Sequence, residues 1–285
     1  MKLDISGLTA GYGSNHVIER LNLSIASGEI VTLIGTNGCG KSTLLKTMAR
    51  ILKPCAGTVC LESESVHSMN TGLLAKQLAI LPQIHAAPED VTVRQLIEYG
   101  RFPHHGAWRM ASSRDRAAVD DILKMTRLEE LASRKVMSLS GGERQRAWIA
   151  MTLAQEPKVL LLDEPTTFLD VCCQFEVVEL VRKLNRKLGI TVVMVLHDLN
   201  LAARCSDRLA AIRDRRILHV GTPREIITPE ILREIFNIES EVIYGRDGVP
   251  FFIPVNIPFS ILQTVGSSIL QDNDEGSYVN VFSPI

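Results

Sequence analysis

Residues 35–43 read Gly35-Thr36-Asn37-Gly38-Cys39-Gly40-Lys41-Ser42-Thr43, and no other stretch restricts the fold so tightly. The apolar run Ile30-Val31-Thr32-Leu33-Ile34 precedes it and Leu44-Leu45-Lys46-Thr47-Met48-Ala49 follows, so a buried strand must turn into a helix within a few residues. The spacing G-x-x-x-x-G-K-S in that context predicts a phosphate loop. Gly35, Gly38 and Gly40 let the backbone close around an anion with its N–H groups pointing inward, and the helix adds the positive end of its dipole. Lys41 is placed to reach the β- and γ-phosphates, and the Ser42 hydroxyl to bind Mg²⁺.

A nucleotide's phosphates call for further groups, and two apolar runs deliver them. Val159-Leu160-Leu161-Leu162 reads as a buried strand ending in Asp163-Glu164-Pro165. Asp163 is suited to hold Mg²⁺ with Ser42, and Glu164 to polarise a water for in-line attack on the γ-phosphate. Thr191-Val192-Val193-Met194-Val195-Leu196 delivers His197, which can hydrogen-bond a γ-phosphate or orient that water. Ser138-Leu139-Ser140-Gly141-Gly142-Glu143 opens a helix with bare N–H groups and an N-cap oxygen, a second anion site in one chain. Tyr12, in the first turn, offers a ring to a flat base, and Gln83 falls at a strand end, where α/β folds carry function.

Along the chain, short strands around Leu3–Ile25 make a β-rich opening, with 11–15 as the connection. From about 88 to 156 the apolar spacing turns helical, which reads as a helical subdomain inserted into an α/β core. Within it, 101–108 reads as a loop rich in aromatics and histidines; His104 and His105 lack a third ligand at metal spacing, so a surface loop or partner contact is expected. A closing hairpin is expected around Asp214-Arg215-Arg216, then two weak helices at 223–227 and 229–236, where the regular pattern ends. Beyond Glu239, prolines at 250, 254, 258 and 284 and a polar end give no assignable role.

Bulk properties exclude several classes. A formal net charge of -1 over 285 residues, with 22% charged, offers no basic excess for nucleic acid. The longest apolar runs fall far short of the roughly 18 residues of a membrane span, and the N-terminus has no secretory pattern, so a cytosolic chain is expected. Six cysteines (Cys39, Cys55, Cys60, Cys172, Cys173, Cys205) form no C-x-x-C pair, which fits reduced thiols.

Taken in order, these motifs resemble the ATP-binding subunit of ABC transporters over residues 1–240. Tyr12 fits the adenine-stacking aromatic, 35–43 the Walker A loop, Gln83 the Q-loop glutamine and 139–145 the LSGGQ-type signature. Val159-Leu160-Leu161-Leu162-Asp163-Glu164 fits Walker B with its catalytic glutamate, Phe168-Leu169-Asp170 the D-loop, and His197 the switch histidine. Thr36, where proline is usual, and Phe168 depart from the pattern. The resemblance implies an α/β fold, a P-loop NTPase (ABC ATPase) core with an N-terminal antiparallel β-subdomain, the inserted helical subdomain, and an extension at 241–285. It implies ATP and Mg²⁺ as cofactors, with Ser42, Gln83 and Asp163 at the metal and Lys41, Gln83, Glu164 and His197 in catalysis. It also implies a homodimer in which Ser140, Gly141, Gly142 and Asp170 of one copy complete the site of the other. Two membrane-spanning permease subunits and an extracytoplasmic substrate-binding protein follow, with the chain peripheral at the cytoplasmic membrane face. Residues 162–170 and 196–202 look most like importers of iron–siderophore complexes, haem and cobalamin; a soluble ABC ATPase in cytosolic assembly is the alternative.

Overall fold

The computed structural model describes residues 1–84, 87–105 and 112–256. It opens with β1 (Leu3–Tyr12) and β2 (Asn15–Ile25), paired antiparallel. The turn is confined to Gly13 and Ser14, so Gly11 and Tyr12, expected in the connection, close β1 instead. A Cβ on Gly11 would fall 1.9 Å from the Asn15 carbonyl oxygen, so only glycine lets the two strands approach that far along. β3 (Ile30–Gly35) runs through the glycine loop into α1 (Lys41–Met48). β4 (Ala56–Leu61) and β5 (Glu64–Ser65) return to the first hairpin, and α2 (Thr71–Gln77) leads into β6 (Leu78–Leu81).

Next come α3 (Val93–Tyr99), α4 (Phe102–His105), α5 (Ser113–Thr126) and α6 (Gly141–Leu153), with no strand among the described residues. β7 (Val159–Asp163), α7 (Val171–Leu188), β8 (Thr191–Val195) and α8 (Leu199–Cys205) complete the core crossovers. β9 (Arg208–Arg213) and β10 (Arg216–Gly221) form the expected hairpin, turned by Asp214 and Arg215, both left-handed at φ 49 and 67. α9 (Pro223–Ile226), α10 (Pro229–Phe236), β11 (Glu239–Tyr244) and β12 (Pro250–Asn256) follow.

One sheet has strand order β10-β9-β3-β8-β7-β6, with β6, β7, β8, β3 and β9 parallel and β10 an antiparallel edge. A second, antiparallel sheet has order β2-β1-β4-β5. The parallel strands are buried on both faces, which is why they read as continuous apolar runs. Alternate residues divide between two cores: Leu160, Leu162, Val192 and Met194 face α3, α5, α6, α7 and α8, while Leu161, Val193 and Val195 face α1 and the antiparallel sheet.

Two expectations need correction. Just after Arg101, Phe102–His105 form the short helix α4, and His104 Nε2 donates to the Gln155 carbonyl at 2.9 Å, so this imidazole ties α4 to the chain after α6. Arg101 is buried against Asp115 (3.0 Å), which the sequence did not show; Gly106, Ala107 and Trp108 lie outside the described residues. Regular structure also continues past Glu239, where β11 and β12 pair from Tyr244↔Pro250 to Glu239↔Asn256. Pro250 and Pro254 sit on a two-stranded ribbon, whose open edges need no N–H, while Pro258 and Pro284 lie outside the described residues.

Candidate active site

The phosphate loop, Asp163, Glu164 and His197 meet at the carboxyl ends of β3, β7 and β8, three neighbours in the sheet. Parallel strands all end on the same side, so motifs more than a hundred residues apart in sequence converge there. Gly35 has φ 148, and a Cβ there would lie 2.2 Å from the Ile212 carbonyl oxygen. Gly40, at φ 107, caps α1 where a Cβ would strike Ile18 Cγ2 at 2.5 Å. Both glycines are therefore fixed by space as well as by conformation.

Lys41 is 5% exposed, and its Nζ donates to the carbonyls of Gly35 (2.8 Å) and Thr36 (2.9 Å). The role of Thr36 here is carried by its backbone, which any residue supplies. Ser42 Oγ donates to Asp163 Oδ1 at 2.9 Å. Burial at the end of β7 pushes the Asp163 carboxyl up from the usual carboxylate range, against the pull of that hydrogen bond. A hydroxyl and a carboxylate oxygen side by side, both next to the phosphate loop, form the hard-donor set that suits Mg²⁺.

Glu164 stands in a left-handed conformation, φ 52, which turns its side chain back across the strand end. Oε2 accepts from Gln83 Nε2 (2.5 Å) and Thr167 Oγ1 (3.0 Å), and His197 Nε2 lies 2.6 Å from Oε1. Gln83 and His197, read from distant stretches, thus meet on one carboxylate. Thr167 was not foreseen, because its reach depends on that left-handed turn. The cleft above them has a volume of about 230 Å³, and Tyr12, Asn37, Lys41, Ser42, Glu164 and His197 are among its lining. A larger groove of about 710 Å³ between α5 and α7, lined by Lys124, Phe175 and Leu180, contains none of these groups.

Ser140, Gly141 and Gly142 do not line that cleft. Ser140 caps α6 reciprocally: its Oγ donates to Glu143 Oε2 (2.8 Å) and accepts from the Glu143 N–H (3.4 Å). The N–H and hydroxyl of Ser140 hold the Glu143 carboxyl below the usual range. Gly142 approaches the start of α7, where a Cβ would meet Cys173 Sγ at 2.6 Å. Asp170 caps α7, accepting from the Cys173 N–H at 2.9 Å. Beside it Phe168, left-handed at φ 64, is 96% exposed.

The ABC transporter family model matches residues 18–167, which span the phosphate loop, the capped start of α6 and the Asp163-Glu164 strand end. The chain belongs to the ABC transporter family. It is similar to the achromobactin transport ATP-binding protein CbrD of Dickeya dadantii, 48% identical over 88% of this chain and 93% of the relative. It is also similar to the iron(3+)-hydroxamate import ATP-binding protein FhuC of Bacillus subtilis, 47% identical over 85% of this chain and 90% of that one. Among solved structures, the dimeric post-hydrolysis ATP-binding cassette MJ0796 bound to ADP and Pi is 30% identical, with TM-score 0.67, over 77% of this chain and 98% of that one. As an ABC cassette the chain binds and hydrolyses ATP. No helix among the described residues is long and apolar enough to cross a membrane.

Proposed function

We propose that this cassette powers uptake of an iron–siderophore complex, acting as a homodimer beneath two membrane-spanning permease subunits at the cytoplasmic membrane face. An extracytoplasmic binding protein would hand the cargo to that permease. The catalytic part of this reading rests on Glu164, whose carboxylate stands at the mouth of the cleft with Gln83 and His197 on its two oxygens. The cargo rests on the names of CbrD and FhuC; haem and cobalamin are the other candidates.

In this mechanism the amides of 35–43 and the Lys41 ammonium cradle the β- and γ-phosphates, while Tyr12 stacks on the adenine. Ser42 and Asp163 would hold Mg²⁺, with the Gln83 side-chain oxygen as a further ligand, and the ion would supply charge neutralisation at the phosphate oxygens. Glu164 takes a proton from a water as its oxygen attacks the γ-phosphorus and the bond to the bridging oxygen of ADP breaks. His197 orients Glu164 through its Nε2, and donation of that N–H to the γ-phosphate is the alternative use of the same group. Ser140, Gly141 and Gly142 close over that phosphate from the second copy, with its Asp170 alongside, because within their own chain they lie outside the cleft.

Glu164→Gln keeps the shape and removes the base. Turnover should fall by about 10²–10⁴-fold with ATP affinity retained, and light scattering should find an ATP-dependent dimer. Turnover at the wild-type rate would remove Glu164 from the chemistry. For the cargo, ATPase stimulation in proteoliposomes by binding protein loaded with ferric siderophore is expected; stimulation only by haem or cobalamin would reassign it. Failure to purify with any polytopic membrane protein would favour a soluble ABC ATPase.

A further inference from the structure

His197 sits on a short connection between two anchors, β8, which ends at Val195, and α8, which begins at Leu199. The β8 end is fixed by pairing with β3 and β7. The α8 end is seven residues long, and a helix of that length does not hold itself in place. Its N-terminus is capped by Asp198, whose Oδ1 accepts from the N–H groups of Asn200 (2.8 Å) and Leu201 (2.9 Å). That cap fixes His197 to the helix, so wherever α8 goes, the imidazole follows.

α8 packs on α7, α9 and β3, and its first turn is held from outside by the β11–β12 hairpin. Phe252 faces Val242 on β11, yet its peptide groups point the other way, across the open edge of β12. Asn200 meets them there: its Oδ1 accepts from the Phe252 N–H at 3.0 Å and its Nδ2 donates to the Phe252 carbonyl at 3.4 Å. A side-chain amide thus pairs with the edge as a neighbouring strand would. Below this clasp, Val242, Val249 and Phe252 pack against the core cluster that contains Leu199 and Leu201 of α8. The hairpin tip is tied separately, by Arg224 Nε donating to the Gly248 carbonyl at 2.8 Å.

We infer that the C-terminal hairpin sets the position of His197 against Glu164, through the clasp of Asn200 on the Phe252 peptide. Asn200 is then a positioning residue for hydrolysis, acting through α8 and never touching ATP. The inference rests on the assignment of His197 to turnover, and the test keeps the two apart.

In the full-length chain, Asn200→Ala should lower kcat by about tenfold, as a displaced catalytic group does, with the KM for ATP within about twofold because the phosphate loop is untouched. In a His197→Ala background the same change should have no further effect on kcat. Hydrogen exchange over α8 should quicken in Asn200→Ala and stay unchanged over α1. An unchanged kcat, or an equal fall in both backgrounds, overturns the inference. If His197→Ala alone leaves kcat intact, the assignment of His197 fails; the clasp is then judged by exchange, and unchanged protection of α8 overturns it. Should Asn200→Ala not fold, Asn200→Asp keeps the acceptor for the Phe252 N–H, loses the donor, and is read by the same measurements.

Discussion

Burying Asp163 at the end of β7 works against its own charge. Its folded pKa is raised because burial disfavours the carboxylate. A raised carboxyl gives stability that is full below the unfolded value, about 3.9, and lost as pH rises through the folded value. Asp163→Asn should therefore raise the melting temperature of the nucleotide-free protein at pH 7, with the gain shrinking as the pH approaches about 4. The same variant should lose turnover, the usual opposition of stability and activity at a charged site. Lys41 gives a different signature. Lys41→Ala should weaken ATP binding itself, by at least about tenfold in Kd for a lost charge-assisted contact, measured with a fluorescent ATP analogue; unchanged affinity would remove Lys41 from the phosphate site. At this scale local spacing was enough to single out Gly35, Lys41, Ser42, Asp163 and Glu164, which the structure brings together at nearby strand ends. The sequence was silent on Thr167 and Asn200, whose partners are set by a left-handed turn and by a hairpin far along the chain.

Elements in the helical region are joined by a buried charge. Arg101, 3% exposed, bonds Asp115 near the start of α5 (3.0 Å), Glu156 after α6 (2.9 Å) and the Ala154 carbonyl (2.9 Å). The Ser112 hydroxyl first, and Arg101 with it, hold Asp115 well below the usual carboxylate range. Arg101→Ala leaves Asp115 buried with its Ser112 hydrogen bonds alone and should cost about 3–5 kcal/mol, read as a lower urea midpoint at unchanged slope. Arg101→Lys should recover only part, since an ammonium cannot reproduce three directed bonds. Nothing in the spacing of residues 101–115 announced this pair, because ion pairing between helices depends on how they cross. The β11–β12 hairpin was hidden for a related reason: its strands are short, β12 begins at Pro250 and carries Pro254, and they are stable only on the surface that α8 and α10 provide. The parallel strands, buried on both faces, were legible as apolar runs.

For the whole molecule, the capped start of α6 lies outside the cleft over its own phosphate loop, and in the proposed homodimer each copy would contribute half of two sites. A mixture of Lys41→Ala and Ser140→Arg chains, each inactive alone, should regain ATPase activity, because the mixed dimer contains one intact phosphate loop facing one intact α6 start. No recovery on mixing would place both halves of the site in one chain. The proposed twofold arrangement also changes how Phe168 counts. Phe168 is 96% exposed beside Asp170, and if the proposed dimer covers it, two rings leave solvent. Each is worth about 1.5 kcal/mol or more, roughly tenfold in affinity. Since symmetry enters that term twice, Phe168→Ala should weaken the ATP-bound dimer by about a hundredfold, and a single codon would tune the concentration at which two cassettes become one machine.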